Sequence, residues 1–144
     1  MLDSAQVKIV SGTWPQLKTD AQHIREQVFI CEQNIAAADE WDDKDAVSVH
    51  FIVYVNAQPV ATARLLPQHS IGRVAVLKEF RGLGLGQQLM FNVMAYAQSQ
   101  QRPFVKLSSQ VHALRFYTAL GFKAEGEVYL DCGIPHQDMR YHFE

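Results

Sequence analysis

Between Ile71 and Met94 the chain reads IGRVAVLKEFRGLGLGQQLMFNVM, and this stretch limits the fold more than any other. Val74 and Val76 alternate with Arg73 and Ala75, which is the period of a strand. Leu85, Leu89, Val93 and Ala97 recur every fourth residue and form one apolar helical stripe. Between them, Arg81-Gly82-Leu83-Gly84-Leu85-Gly86 places glycine at alternate positions. The backbone there can approach a ligand closely and adopt dihedrals that a Cβ forbids. The first N–H groups of the following helix have no intrahelical partners and face whatever lies ahead of them. An anion at that point gains about 0.3–1 kcal/mol from the helix dipole before any direct hydrogen bond is counted.

Spacing selects among phosphate-binding turns. A mononucleotide loop ends in Gly-Lys-Ser/Thr, but Gly86 is followed by Gln87 and Gln88. A dinucleotide turn needs a glycine three positions after its second one and follows the first strand of its domain; here that position is Gln87, and the turn lies in mid-chain. What remains is Arg81-x-x-Gly84-x-Gly86 after a Val-x-Val strand. This resembles the acetyl-coenzyme A loop of the GCN5-related N-acetyltransferases (GNAT). Two further blocks extend the resemblance. Phe116-Tyr117-x-x-Leu120-Gly121-Phe122 is similar to a family block, and three segments together resemble a bacterial subgroup, the ElaA- or YjcF-like acetyltransferases. Those segments are Arg25-x-x-Val28-Phe29-x-x-Glu32-Gln33, Ile71-Gly72-Arg73-Val74 and Gly133-Ile134-Pro135-His136-x-x-Met139.

The rest of the chain is ordered in a way that fits. Val7 to Val10 reads as a strand, Trp14 to Asn34 as a helix, and Ala38 to Ala46 as a polar acidic loop. Val49 to Val55 and Val60 to Leu66 form a hairpin around Asn56-Ala57-Gln58-Pro59. Phe104 to Ser109 is a fifth strand, and His112 to Leu120 a short helix closed by Gly121. Phe122 to Leu130 and Gln137 to Phe143 are two last strands joined through Asp131-Cys132-Gly133-Ile134-Pro135. The order predicts an α+β fold with a mixed sheet, and the resemblance implies central parallel strands that splay to admit the cofactor. Residues 1–144 are expected to form a single domain, with neither repeat nor linker.

Composition excludes several partners. A formal net charge of −2 gives no basis for nucleic-acid or anionic-membrane binding. Cys31 and Cys132 lack metal or redox spacing and fit a reducing compartment, so no metal is expected. No apolar run reaches the length of a membrane span and no signal architecture precedes the first strand; the expected location is cytoplasmic.

Chemistry follows partly from the reaction and partly from the resemblance. Expelling a thiolate from a thioester is easier when an acid protonates it, and Tyr117 sits where the family places that acid. The resemblance assigns the donor to Val74, Ala75, Val76, Arg81, Gly82, Leu83, Gly84, Leu85, Gly86 and Gln87, with acetyl-coenzyme A as co-substrate. It adds Gln110, where many members have asparagine. A primary alkylamine is nearly all protonated at neutral pH, so a base is needed. Glu32, Glu40, Asp42, Glu127, His50 and His136 are candidates, with Glu32 taken first. Arg25, Arg64, Glu127 and His136 are expected at the acceptor, a small-molecule or protein amine. The family often dimerises.

Two alternatives stand beside this reading. Arg25, Phe29, Asp42, Asp45 and Arg64-Leu65-Leu66-Pro67 also resemble the N-terminal half of acyl-homoserine-lactone synthases. A catalytically silent acyl-coenzyme A sensor is the other. The acidic loop Asp39 to Asp45 reads as solvated surface, or as an attractant for a cationic amine with Trp41 as a platform; in the bland version Arg25 and Arg64 pair with this loop.

Overall fold

Alternating apolar residues build a seven-stranded mixed sheet in the order β1-β2-β3-β4-β5-β7-β6. The computed structural model describes residues 2–144. The strands are β1 (Val7–Gly12), β2 (Val49–Val55), β3 (Gln58–Leu65), β4 (Ser70–Val76), β5 (Phe104–Gln110), β6 (Lys123–Asp131) and β7 (Ile134–His142). Neighbours are antiparallel except β4 and β5. The helices are α1 (Trp14–Arg25), α2 (Ala37–Glu40), α3 (Leu85–Ser99) and α4 (Leu114–Ala119).

Consecutive residues Val60 to Leu65 of β3 are all buried, so both faces of the central sheet are covered. Helices α1 and α3 provide the cover, each packing on β2 and β3. On α3 the buried side chains are Leu85, Leu89, Met90, Val93, Met94 and Ala97, the stripe that the fourfold spacing predicts. Each fully buried leucine contributes about 1.5–3 kcal/mol relative to exposure.

Two irregularities make the site. Strands β4 and β5 pair only at Ser70 with Lys106 and Ile71 with Leu107; beyond that they diverge. Just where they part, β4 carries one extra residue against β3, since Thr62 faces Ala75 but Arg64 faces Gly72. Arg73 lies in this bulge at φ 52°, a left-handed backbone that costs a non-glycine residue about 1–2 kcal/mol. A bulge bends and twists its strand, so the end of β4 turns away from β5.

The first helix also departs from expectation. It is α-helical only to Arg25 and continues as a π-helix over Glu26–Glu32, closed by Gln33 N–H donating to the Val28 carbonyl at 3.1 Å. Such wide turns concentrate at functional sites, and this one faces the cleft. Strand β7 begins at Ile134, three residues before the expected start. Cys132 and Gly133, at φ 51° and 75°, form the tight connection, and two positive dihedrals in succession are what a two-residue hairpin needs.

Candidate active site

The divergence of β4 and β5 opens a cleft of about 1370 Å3, larger than the roughly 300–1,000 Å3 typical of small-ligand pockets. One end is made of backbone. Val74, Ala75 and Val76 of β4 line it, then Arg81, Gly82 and Gly84, and then Leu85, Gly86 and Gln87 at the start of α3. Gly82 and Gly84 have φ of 77° and 79°, and a Cβ on either would meet nothing within 4 Å. The loop thus presents open backbone in front of a helix N-terminus, which fits an anionic group. Gly86 serves packing instead: its Cβ would come 3.4 Å from the Phe116 ring. Tyr117, on α4, lines the same cleft and is 8% exposed. Burial pushes its phenol well above the ordinary range, so it stays protonated and able to donate.

The other end is made of side chains. Arg25, 1% exposed, donates from Nε to Glu40 Oε2 at 2.7 Å and from Nη1 to Asp45 Oδ1 at 2.8 Å. Its guanidinium lies between Trp14 and Trp41, 5.7 and 5.1 Å from their ring centroids. Arg64 holds Asp42 in a two-point pair at 2.8 and 2.9 Å and reaches Asp45 at 2.9 Å. Arg73 completes the set with Nε 3.0 Å from Glu40 Oε2. Three guanidiniums are balanced by three carboxylates, so this packed lattice adds no net charge. The Arg64 pair holds the Asp42 carboxyl down at about 2.

The model of the acetyltransferase (GNAT) domain matches residues 19–143. The chain belongs to the GNAT acetyltransferase family. It is 34% identical over 135 residues to the uncharacterized N-acetyltransferase YjcF of Bacillus subtilis, covering 91% of this chain and 96% of that one. An acyl-CoA N-acyltransferase from Pseudomonas aeruginosa superposes with a TM-score of 0.82 at 32% identity, covering 93% of this chain and 98% of that one. Escherichia coli ElaA gives a TM-score of 0.84 at 28% identity, with 93% and 98% covered.

In this GNAT domain several expected residues sit elsewhere or are engaged. Glu32 lines the cleft but grips Arg81 through both carboxylate oxygens at 2.6 Å. The Arg81 hydrogen bonds hold its carboxyl below the usual range, and both of its oxygens are engaged in this ion pair. Arg81 itself also donates from Nε to the Val76 carbonyl at 3.0 Å, stapling the loop to the strand.

Arg25 is not an acceptor contact. Its Nε and both Nη atoms donate within the lattice, and it is buried beneath Glu40 and Trp41. Arg64 lines the cleft with both terminal nitrogens bound to aspartates. The residues behind the acyl-homoserine-lactone-synthase resemblance therefore have a structural occupation. The acidic loop is divided: Asp39, Asp42, Asp43 and Lys44 are exposed, whereas Glu40 and Asp45 are 2% and 3% exposed. Arg25 and Arg64 pair with it, as one reading of the sequence expected, and Trp41 lies against Arg25. His50, a candidate base, is buried, with Nε2 donating to the Asp45 carbonyl at 2.9 Å.

Glu127 is exposed on β6 and does not line the cleft. Leu83 points to a small neighbouring hollow with Leu2, Asp3, Ser4 and Val7. Gln110 lines the cleft, its amide nitrogen donating to Gln33 Oε1 at 2.8 Å and its oxygen 2.6 Å from His112 Nε2. His136 lines it too, within β7 rather than in a turn. Among the described residues no cluster of three or more His, Cys, Asp or Glu side chains is placed to hold a metal ion, and no helix is long and apolar enough to cross a membrane.

Proposed function

We propose that this chain is an N-acetyltransferase that moves the acetyl group of acetyl-coenzyme A to a primary amine by direct attack in a ternary complex. The observation that carries the reading is the two-residue pairing of β4 with β5. Past Ile71, the β5-facing edge of β4 has no strand partner, and it leads straight to the glycine loop and the start of α3. An extended pantetheine chain can pair with that edge as a strand would, while loop N–H groups take the pyrophosphate. Val74 and Val76 then offer backbone N–H groups to the thioester carbonyl as charge develops on its oxygen. Tyr117 donates a hydrogen bond to the departing thiolate, a role suited to a phenol that burial keeps protonated.

Tyr117→Phe tests the assignment. Acetyl-coenzyme A affinity measured by calorimetry should stay within about twofold, while thiol release with butylamine as acceptor should fall roughly 10²-fold, the low end of acid catalysis. Unchanged turnover would remove Tyr117 from the chemistry. Wild-type binding without thiol release from any acceptor would favour a silent acyl-coenzyme A sensor.

A further inference from the structure

Building on the acetyl-transfer reading above, we propose that His136 is the base that takes the proton from the acceptor amine. His136 is nine-tenths buried, 9% exposed, and lines the cleft. Its Nδ1 lies 2.7 Å from the Ile134 carbonyl oxygen. A carbonyl only accepts, so in the neutral ring Nδ1 carries the proton and Nε2 holds the lone pair. No side chain or backbone group among the described residues hydrogen-bonds Nε2. An acceptor nitrogen without a protein partner, on a nine-tenths buried ring in the wall of the candidate active site, is placed to meet a donor from the cleft.

The sheet holds it in place. His136 is in register with Gln110 of β5 and Tyr129 of β6, and side chains at facing positions share one side of a sheet. Tyr129 stacks on its ring, centroids 6.2 Å apart at 24°, and is itself anchored by donating to Asp138 Oδ1 at 2.6 Å. Gln110 is braced by Gln33 and His112. The ring is therefore oriented by backbone on one edge and by an aromatic on its face. Of the carboxylates that line the cleft, Glu32, Glu40 and Asp42 are bound to arginines, and Asp39 and Asp131 are exposed to solvent.

The proton account balances. The acceptor ammonium gives one proton to Nε2, leaving a neutral amine and an imidazolium whose Nδ1–H still bonds the Ile134 carbonyl. The amine nitrogen attacks the thioester carbon, forming a C–N bond; the C–S bond breaks as the tetrahedral intermediate collapses. The nitrogen sheds its second proton to the Tyr117 oxygen as the Tyr117 hydroxyl gives its own proton to the departing thiolate, so the amide, the thiol and the phenol all end neutral. The net proton stays on His136 until solvent takes it.

The test compares His136→Gln with wild type by thiol release from acetyl-coenzyme A. The acceptors are butylamine, protonated at neutral pH, and methoxyamine, already neutral, with a water-only arm and calorimetric acetyl-coenzyme A binding alongside. The titratable or charged groups around His136 are Tyr129 and Asp131 on β6, Cys132 in the turn, Asp138 on β7, His112 beside Gln110, and Asp39, Asp42, Lys44 and Arg73, which also line the cleft. All are retained in the variant. The expected result is a loss of about 10²-fold or more in kcat with butylamine, displacement of the low-pH limb of its kcat profile to higher pH, towards the amine's own titration, a change within threefold with methoxyamine, and unaltered acetyl-coenzyme A affinity. Equal losses with both amines, or a low-pH limb that stays where it is in wild type, would overturn the proposal. Binding of acetyl-coenzyme A with no wild-type thiol release in any arm would overturn it together with the transfer reading. Absence of binding would instead strike the donor assignment first, and His136 with it.

Discussion

The two ends of the cleft are built from different materials. At the glycine loop the work falls to the backbone: an unpaired strand edge, two left-handed glycines and the free N–H groups of α3. At the opposite end side chains take over, three arginines and three carboxylates locked together, with Arg25 against two tryptophans. A backbone site tolerates any side chain that keeps the dihedrals and the space open. A charge lattice tolerates almost no change, because each member is a partner on which another buried charge depends.

The sharpest way to break this contrast is Arg25→Ala. It takes one of two arginine partners from each of Glu40 and Asp45, leaving three carboxylates to two guanidiniums, and should destabilise the fold by about 3–5 kcal/mol, read by urea denaturation. A loss under about 1 kcal/mol would mean that the lattice is looser than its distances suggest. Gly84→Glu probes the other end. Its Cβ meets no protein atom, so the fold should lose only about 1–2 kcal/mol to the left-handed dihedral. Acetyl-coenzyme A binding should weaken at least about a hundredfold, about 2.7 kcal/mol by calorimetry, as a carboxylate enters the phosphate site. Equal damage to stability and binding would erase the distinction between the two ends.

The smallest effect is a matter of pH. Asp42 drops from the ordinary 3.8 to about 2, chiefly through its hydrogen bonds from Arg64. Its native pKa lies below the unfolded one, so its contribution is complete above about pH 4 and is lost as pH falls toward 2. His50 acts in the same sense at higher pH: burial lowers its pKa, so its contribution fades as pH drops below roughly 6.5. Melting temperatures across pH 7 to 2 should fall in both windows. In Asp42→Asn the lower window should flatten, and persistence of the full acid slope there would detach Asp42 from stability.

Much of the glycine-loop end is legible in the sequence because its parts are contiguous. Strand, arginine, glycines and helix follow one another from Val74 to Gln87, and Val74 to Val76, Arg81, Gly82 and Gly84 to Gln87 line the cleft while Leu83 does not. The charge-lattice end resists reading because its partners are far apart in the chain. Arg25 meets Glu40 across 15 residues, Arg64 meets Asp42 across 22, and Gln110 meets Gln33 across 77. A charged residue in a sequence gives no sign of which counter-charge it meets, so neither the Glu32–Arg81 pair nor the burial of Glu40 and Asp45 is legible there. The π-helical segment was equally hidden, since Glu26–Glu32 keeps an ordinary helical pattern. One signal was present but misweighed. Cys132-Gly133 between alternating residues is a two-residue hairpin turn, and reading it so would have put His136 inside a strand.

The sequence by itself determined the order of the elements and the phosphate-type turn, because periodicity and glycine dihedrals act within a few residues. Only the tertiary structure decided how far β4 and β5 separate, which charges neutralise one another, and which nitrogen of His136 is bound to backbone. Those outcomes depend on long-range register and on the need of every buried charge for a partner, and neither is written in any local stretch of the chain.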